Sequence, residues 1–383
     1  MKPLTNRSPV TLSDVARAAG VSLATASRSL NGSAKRVNDE LRERVLETAR
    51  QLNYTPNLSA QAVAKGASST VALLVSDVAD PYFSSIAAGV MRAAEARGLI
   101  VTMAATGRSS DRELALVRVL RGQRPRVIIL AGSRYSGSDS KQDLVAELRA
   151  YEETGGTVVM VSQHELPFST VLLDNRTGAR DLARTLVDQG YRRFGAITGA
   201  RGLITSDDRI SGFAEGLAEH GLTLNLERVV EAEFSRNGGY EGARELLARG
   251  IDDVELVFAV SDIMAIGAMS ALRDAAVAVP DALAVAGYDD IPTARDVTPA
   301  LTTMHIALDA VGEAAIDLAF AGSADAADAS GGTDAAASDA GAAHTDAAER
   351  GTGGADTANS DGEQGQIVRI GADVVIREST PKR

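Results

Sequence analysis

Five side chains on one helical segment of the sequence have the chemistry needed to read DNA. They lie on the outward face of a segment that runs from residue 23 to residue 30: Leu23, Ala24, Thr25, Ser27 and Arg28. The Arg28 guanidinium can donate two hydrogen bonds to one guanine, and Leu23 and Ala24 can touch a thymine methyl. The hydroxyls of Thr25 and Ser27 suit phosphates or base edges. The alternative is an ordinary helical hairpin with a solvated arginine.

The residues before this segment predict the turn that would hold it. Thr11 is a good N-cap for a first helix over residues 12–19, and Gly20 is a typical C-cap. Ser22 can cap the second helix. Two small residues allow the helices to approach closely: Ala16 and Ala26. This spacing predicts a helix-turn-helix whose second helix enters the major groove.

Charge is divided unevenly along the chain, which has 383 residues and a net charge of −12. Residues 1–66 contain ten Lys or Arg and five Asp or Glu, so they carry +5 and the remaining residues carry −17. A basic segment on an acidic remainder concentrates the attraction for phosphates in one place. A solvated basic surface would have the same charge, so charge alone leaves both interpretations open.

From residue 70 onward, short apolar runs alternate with amphipathic segments. The runs start with Val71–Val75, Ile100–Met103 and Val127–Leu130, and the pattern continues to Ala284–Ala286. Such alternation predicts a parallel, doubly wound α/β architecture. A ligand crevice is expected at the carboxyl ends of its strands. The predicted fold class is therefore an N-terminal all-α helix-turn-helix domain followed by an α/β body.

The stretch 321–366 differs in composition from the rest of the chain. It contains no Val, Ile, Leu, Met or aromatic residue, and its nine acidic residues stand against one arginine. So little apolar surface cannot offset the chain entropy, and we therefore expect this stretch to be disordered. The chain then returns to Ile367–Ile370 and Val374–Ile376, which predict one or two strands. The stretch is thus an insertion into the fold.

Sequence signals for catalysis are absent. The chain has no cysteine, which excludes disulfides, thiolate metal sites and a cysteine nucleophile. It also lacks Gly-x-Ser-x-Gly, the phosphate-binding Gly-x-x-x-x-Gly-Lys-Ser/Thr and Gly-x-Gly-x-x-Gly. The acid pairs Asp207–Asp208 and Asp289–Asp290 suit helix capping and ligand hydroxyls better than a metal. We therefore expect no enzyme activity, no metal and no cofactor.

Residues 11–31, followed by Leu52-Asn-Tyr-Thr-Pro-Asn57, resemble the signature of the LacI/GalR family of transcriptional regulators. Further motifs stand in family order along nearly the whole chain: Asp80-Pro-Tyr-Phe83, Asp174-Asn175, Gly190-Tyr-Arg-Arg193, Val285-Ala-Gly-Tyr-Asp289, Leu301-Thr-Thr303 and Arg377-Glu-Ser-Thr380. The resemblance implies a DNA-binding head and a periplasmic-binding-protein-like body of two lobes.

The resemblance also implies a third head helix over about 39–52 and a hinge helix at Asn57–Ala64. In the family the hinge folds on DNA and wedges an apolar side chain, usually Leu, into the minor groove. Val63 matches that position, and its shorter, branched side chain would fill less of the opened base step. A buried contact between hinge and body is the alternative for Val63. The expected DNA contacts thereby extend beyond the second helix to Thr11, Ser22, Asn31, Tyr54, Asn57, Gln61 and Val63.

By the same resemblance, six residues are expected to bind a small-molecule effector between the lobes: Tyr82, Phe83, Arg209, Phe234, Ser261 and Asp289. The planar fork of Arg209 suits paired hydroxyls or a carboxylate, and Asp289 can accept from two hydroxyls. With the aromatic faces, these groups suit a sugar-like ligand. The alternatives are core positions for the phenylalanines and a structural ion pair for Arg209 and Asp289. Ser261 replaces an Asn that is common in the family.

The family's boundaries give a head over 1–56, a hinge helix and linker over 57–69, and a body over 70–320 and 367–383. Within the body, the first lobe is expected at 70–172 and 301–320 and the second at 173–298 and 367–383. The insertion would then lie at the third crossover between lobes. Three segments depart from the family pattern, so the effector's identity is not transferable from a relative: Arg126–Ile129, Ser162–His164 and Met304–Ala307.

The expected mechanism is a two-state switch in a homodimer bound to two-fold symmetric operator DNA. An effector that prefers one state lowers operator affinity by shifting the lobes. A corepressor response, or a nucleoside or phosphosugar effector, is the alternative within this fold. A transport-type sugar-binding protein and a ligand-free architectural DNA binder are the rivals from other classes. Without a signal-peptide-like or membrane-spanning apolar run, we expect a cytoplasmic protein with no membrane partner.

Overall fold

The computed structural model describes residues 10–31, 37–55, 68–321, 357–358 and 365–383. The chain divides into two compact units, of which the first ends at Ser68 and the second begins at Ser69. The hinge helix expected at 57–64 lies outside the described residues, as does most of the insertion at 321–366. No helix among the described residues is long and apolar enough to cross a membrane.

The described residues of the first unit form three helices: α1 (Leu12–Ala18), α2 (Leu23–Asn31) and α3 (Asp39–Gln51). Thr11 and Asp14 form a capping box, in which the Thr11 hydroxyl accepts from the Asp14 N–H at 3.3 Å and the Asp14 carboxylate accepts from the Thr11 N–H at 3.0 Å. Gly20 takes a φ of +65°, which allows the turn, and Ser22 caps α2 by accepting from the Thr25 N–H at 3.1 Å. The predicted helix-turn-helix and third helix are confirmed.

A small apolar core holds the three helices of the head together. Its buried members come from all three helices and the first turn: Val15, Ala16, Ala19, Ala26, Val45 and Ala49. Ala16 and Ala26 lie between α1 and α2, where their small side chains let the helices approach closely. This packing fixes which face of α2 points outward.

The strands of the second unit, in chain order, are β1 (Thr70–Val75), β2 (Ile100–Ala105), β3 (Val127–Ala131), β4 (Thr157–Ser162), β5 (Ser169–Leu173), β6 (Phe194–Thr198), β7 (Val229–Glu231), β8 (Leu256–Ala259), β9 (Ala284–Ala286), β10 (Thr303–Ile306), β11 (Thr357–Ala358), β12 (Ile367–Ile370) and β13 (Ala372–Val375). Its helices are α4 (Pro81–Glu95), α5 (Ser110–Gln123), α6 (Lys141–Glu152), α7 (Asn175–Asp188), α8 (Ile204–Ala218), α9 (Arg236–Ala248), α10 (Asp262–Asp274) and α11 (Leu308–Phe320).

Two sheets define two lobes within this unit. The first lobe has the strand order β11-β12-β5-β4-β3-β1-β2, and its strands are parallel except at the β11–β12 edge. The second lobe has the order β7-β6-β8-β9, with parallel neighbours throughout. A third, antiparallel pair, β10 and β13, carries two of the segments that cross between lobes. The predicted doubly wound α/β body is confirmed.

Alternate residues of β1 show how the first sheet is covered on both faces. Val71, Leu73 and Val75 belong to the cluster that includes α4 and α11, whereas Ala72 and Leu74 belong to the cluster that includes α5 and α6. Successive residues of a strand point to opposite faces, so a run that is apolar at every position needs a helix layer on each side. This explains why the buried strands are continuous apolar runs.

The structure corrects the expected position of the third crossover. β12 pairs in parallel with β5, from Ile367 opposite Thr170 to Ile370 opposite Leu173, so it belongs to the first lobe. The insertion therefore leaves α11 and returns to β12 within one lobe, and the crossover follows at Gly371 and β13. The expectation of disorder also fails at Thr357–Ala358, which form β11 beside β12. A short, mostly apolar segment specifies a strand but not its neighbour, because strand pairing is set by distant residues.

Two glycines bring α4 and α11 into backbone contact in the first lobe. A Cβ at Gly89 would lie 1.9 Å from the Asp309 carbonyl oxygen, and a Cβ at Gly312 would lie 2.1 Å from the Ile86 carbonyl oxygen. Neither backbone oxygen can yield without moving its helix. The crossing distance of these helices therefore depends on glycine at both positions.

We expect Gly89→Ala to lower the free energy of unfolding by about 3 kcal/mol, because the added methyl forces two packed helices apart. The matched control is Gly122→Ala in α5, where an added Cβ meets nothing within 4 Å. It should be neutral or stabilising by up to about 1 kcal/mol, since alanine favours helix. Urea unfolding followed by circular dichroism measures both, and equal stabilities for the two variants would contradict the close approach.

Candidate functional site

The outward face of α2 carries the side chains that the sequence assigned to DNA. Leu23 is 52% exposed, Ala24 and Arg28 are also exposed, and Thr25 and Ser27 are half-buried. The Arg28 guanidinium forms no ion pair with any described residue, which leaves it available to a base or phosphate. Leu23 is an exposed large apolar side chain at the start of the helix, as expected for contact with a thymine methyl.

The remaining expected DNA contacts have mixed outcomes. Thr11 and Ser22 are exposed N-caps, so each hydroxyl already has a structural role. Tyr54 packs half-buried against the head core. The side chain of Asn31 and the residues Asn57, Gln61 and Val63 lie outside the described part of the chain. Their assignment to DNA stays a prediction.

The second unit contains a cavity between the two lobes, lined by residues from both. It lies at the carboxyl ends of the strands, where a doubly wound fold places its ligands. Five of the six expected effector residues line it: Tyr82, Phe83, Arg209, Phe234 and Asp289. The cavity therefore brings together, from both lobes, the residues that the sequence placed far apart.

Arg209 is the central cation of this cavity and is 2% exposed. Its Nε donates to Asn175 Oδ1 at 2.8 Å, one Nη to the Val260 carbonyl at 2.7 Å, and the other to Asp289 Oδ1 at 2.6 Å. The guanidinium also lies 3.8 Å from the centre of the Tyr288 ring. Three directional bonds and the ring fix the guanidinium in one orientation.

The Asp289 carboxylate is buried beside Arg209 and has a shifted pKa. Burial raises the pKa of Asp289 to about 6, because the charged form loses its water, and the nearby Arg209 guanidinium opposes that shift. Only Oδ1 receives the Arg209 bond, and no hydrogen bond from a described residue reaches Oδ2. Asp289 thus forms the expected ion pair through Oδ1, and its Oδ2 can still act as the expected acceptor for ligand hydroxyls.

Aromatic rings supply the apolar part of the cavity. Tyr82 and Phe83 pack edge to face with centroids 4.9 Å apart, and they belong to the core cluster as well as to the cavity wall. Burial raises the pKa of the Tyr82 hydroxyl, so it stays neutral. Phe234 is half-buried on the opposite lobe. The core interpretation of Phe83 is therefore compatible with its position at the ligand cavity.

Ser261 differs from the other expected effector residues. It is 1% exposed, is absent from the cavity lining, and precedes α10 without capping it through its side chain. Its hydroxyl is buried without a hydrogen-bond partner among the described residues. The structure therefore does not bring Ser261 into contact with the cavity.

Sequence reasoning missed several cavity residues that lie at the carboxyl ends of first-lobe strands or within a few residues after them. The main ones are Ser76, Asp80, Arg108, Gly132, Ser133 and Ser162. Asp80 is also the N-cap of α4, and burial raises its pKa. A usable signal was available, because each predicted strand end in a doubly wound fold points at the ligand crevice. Chain position after an apolar run would have identified this set.

Backbone hydrogen bonds join the two lobes beside the cavity. The Ser136 N–H donates to the Gly202 carbonyl at 2.8 Å, and the Ile204 N–H donates to the Arg134 carbonyl at 3.1 Å. The Thr205 N–H donates to Ser133 Oγ at 2.9 Å. These bonds hold the cavity in a closed arrangement, and the lobes can separate there only by breaking them.

A second buried carboxylate, Asp290, lies among the segments that cross between lobes. It is 7% exposed, and it accepts from Arg377 at 2.5 Å, from Arg295 at 3.0 Å and from His305 Nδ1 at 2.9 Å. Burial disfavours its charge, but the bonds from Arg377, Arg295 and His305 outweigh burial and lower the pKa of Asp290. His305 lies on β10 and Arg377 follows β13, so one carboxylate holds two crossover segments.

Comparison with known proteins agrees with this architecture. Residues 11–57 match the family model for bacterial regulatory proteins of the lacI family, and residues 183–332 match a periplasmic binding protein-like domain. The regulator GalS of Salmonella typhimurium is 32% identical over 82% of this chain and 90% of its own length. The regulator GalR of Escherichia coli is 31% identical over 81% of this chain and 88% of its own.

Solved structures show the same fold. The transcriptional regulator CelR in complex with cellobiose is 27% identical, covers 97% of this chain and 99% of its own, and superposes with a TM-score of 0.62. The lac repressor dimer bound to operator and the anti-inducer ONPF covers 98% of this chain and 100% of its own at 22% identity, with a TM-score of 0.73. Head, body and relatives together define a helix-turn-helix transcriptional regulator with a periplasmic-binding-protein-like body. The chain belongs to the LacI family.

The bonds around the Asp290 carboxylate let us predict the effect of removing its charge. Asp290→Asn leaves the mostly buried Arg377 without its counter-ion, so we expect a loss of about 3 kcal/mol in unfolding free energy at neutral pH. Because the folded pKa lies below the ordinary 3.8, the wild-type advantage should persist above pH 3.8 and disappear as pH falls through the folded pKa.

The control for this prediction is Asp296→Asn, an exposed carboxylate in the same loop that forms no ion pair among the described residues. It should change stability by less than about 0.5 kcal/mol. Chemical unfolding of the three proteins at several pH values provides the measurement. An Asp290→Asn protein as stable as Asp296→Asn would show that the cluster contributes nothing.

Proposed function

We propose that this protein is a homodimeric repressor that binds a two-fold symmetric operator and is released from it by a sugar-like effector in the interlobe cavity. The observation that carries the proposal is the buried pair of Arg209 and Asp289 among aromatic walls, at 2.6 Å from each other. A planar donor fork, a carboxylate acceptor and flat apolar faces together match the alternating hydroxyls and C–H faces of a sugar.

The relatives support this ligand class. CelR was solved with cellobiose, and the lac repressor was solved with ONPF and operator, in both cases in the same fold. The cavity here adds hydroxyl groups at Ser76, Ser133, Ser162 and Thr205. Side-chain hydroxyls both donate and accept, which suits ligand hydroxyls in more than one orientation.

Operator recognition is assigned to α2 and its neighbours. Arg28, Leu23 and Ala24 would contact base edges, while Thr25 and Ser27 would contact phosphates or bases. The supporting set is Thr11, Ser22, Asn31, Tyr54, Asn57, Gln61 and Val63. A DNA-reading head, a chain without cysteine and the relatives' role as regulators fit a cytoplasmic site of action.

The proposed switch uses the two lobes. An effector that contacts Arg209 and Asp289 on one lobe and Tyr82 on the other changes the free-energy difference between two lobe arrangements. A 100-fold difference in its affinity for them corresponds to about 2.7 kcal/mol, which is enough to shift operator occupancy strongly. The closed arrangement held by residues 133–136 and 202–205 is one of these two states.

One experiment tests the whole proposal. The purified protein selects binding sites from a random DNA pool, and the selected site is titrated by fluorescence anisotropy with and without a sugar panel. A two-fold site released by one sugar supports both parts. If a sugar strengthens binding to the selected site, the protein is a corepressor-dependent regulator and the induction proposal is wrong. If no site is selected, the proposal that the head recognises DNA is refuted.

Arg28→Ala should weaken the preference for operator over random DNA. Loss of a bidentate arginine-to-guanine contact costs about 1–3 kcal/mol and relaxes specificity at one base pair. Arg50→Ala is the control, because Arg50 is an exposed head arginine on α3 that pairs with Glu47. It should keep the preferred sequence. Competition titrations with operator and random DNA distinguish the two variants.

The effector response should weaken in acid. A carboxylate that accepts from ligand hydroxyls must be ionised, and the Asp289 pKa of about 6 means that this form declines as pH falls through about 6. Effector-induced release should therefore be strongest above about pH 7 and lose most of its effect by about pH 5. Asp289→Asn should bind the effector weakly at every pH. A wild-type response that is flat across this range would contradict the assignment.

A further inference from the structure

Arg108 is a second arginine in the interlobe cavity, and it differs from Arg209 in its bonding. It follows β2 on the first lobe, and its side chain is 17% exposed. Its guanidinium lies 5.2 Å from the centre of the Phe234 ring, which belongs to the second lobe. No described residue accepts a hydrogen bond from it, whereas Arg209 has three acceptors in the protein.

The nearest carboxylate does not satisfy Arg108. Asp80 Oδ2 lies 3.9 Å from its Nη2, beyond hydrogen-bond distance, and Asp80 Oδ1 already accepts from the Tyr82 N–H at 3.0 Å. The neighbouring Arg134 shows the contrast, because Glu113 receives it through two bonds of 3.0 and 2.7 Å. Arg108 is a mostly buried cation with five donors, no hydrogen-bond acceptor among the described residues and one long ion pair with Asp80, so it can take a partner from outside.

The backbone at Arg108 adds to this conclusion. Its φ is +58°, in the left-handed region that non-glycine residues seldom adopt, and it follows Gly107 at +62°. Strain of this kind persists where the surroundings hold a side chain in a required place. Here it aims a long cationic side chain back into the cavity from the tip of a loop.

We propose that Arg108 binds an anionic group of the effector, so that the effector is an acidic sugar that carries a carboxylate or a phosphate. This inference rests on the proposed function and deepens it. Arg209 and Asp289 would hold the neutral hydroxyls, while the free fork of Arg108 receives two oxygens of the anion. Its position over the Phe234 ring keeps the guanidinium beside the cavity that both residues line.

The other charges of the cavity are consistent with this arrangement. Arg209 and Asp289 neutralise each other at 2.6 Å, and Asp80 is the one remaining carboxylate near Arg108 among the described lining residues. Two further carboxylates, Glu231 and Glu233, border the outer part of the cleft, but both are exposed to water. Solvent screens exposed charges far more than buried ones, so Glu231 and Glu233 oppose an anion in the cavity less than a buried carboxylate would.

The test compares neutral and acidic forms of the same sugars. Glucose, galactose and mannose are each supplied as the free sugar, the uronate and the 6-phosphate, and binding to the full-length protein is measured by calorimetry. We expect at least one acidic form to bind about 30-fold more tightly than its neutral parent. The uronate and phosphate arms then separate the two kinds of anion.

Variants locate the effect at Arg108. Arg108→Gln should remove most of the 30-fold preference by weakening the acidic form far more than its neutral parent, and Arg108→Lys should keep part of the preference. Arg112→Gln, which removes an exposed arginine at the start of α5, should bind like wild type. Thermal unfolding without ligand checks that each variant is folded.

Three results would overturn the inference: no acidic form binds, a neutral sugar binds as tightly as its acidic form, or Arg108→Gln weakens both forms alike. Operator binding is measured in the same preparations, so the two proposals fail separately. Loss of operator recognition in the wild type would refute the repressor function. An acidic sugar that binds through Arg108 without changing operator affinity would refute the effector role and leave the Arg108 assignment intact.

Discussion

Two adjacent carboxylates connect the ligand cavity to the segments that join the lobes. Asp289 receives Arg209 inside the cavity, and Asp290, one residue later, receives Arg377 and His305 from the crossover strands. Both aspartates have positive φ, at +116° and +51°, so the turn between them is held in an unusual shape by the bonds at each side. Because a single peptide unit separates them, a displacement of one carboxylate is carried to the other.

The turn at Asp289 and Asp290 contacts both the cavity and the strands that cross between the lobes. The Asp289 N–H also donates to the Met304 carbonyl at 2.9 Å, so the same turn is bound to β10 through its backbone. A ligand that takes over part of the Arg209 bonding changes the balance of forces on this turn. A few short, directional contacts therefore join the cavity to the crossover strands.

The local features of the chain were predictable, and the non-local ones were not. The Thr11 cap, the Gly20 turn and the apolar strands follow from neighbours in sequence, and all appear as predicted. The Arg209–Asp289 pair was placed in the cavity through family resemblance. The neighbour of β12, the buried position of Ser261 and the lack of a hydrogen-bond acceptor for Arg108 among the described residues depend on residues far away in the chain. No periodicity or spacing encodes such contacts.

The pairing of β12 with β5 also determines where the chain tolerates additions. The insertion begins after α11 and ends before β12, and both of these elements belong to the first lobe. The three connections between the lobes therefore lie outside the insertion. A fluorescent domain spliced into this stretch, or new termini opened there by circular permutation, would leave every connection covalently intact. The acidic insertion is therefore a suitable position for a biosensor domain, because a domain placed there leaves the three connections between the lobes uncut.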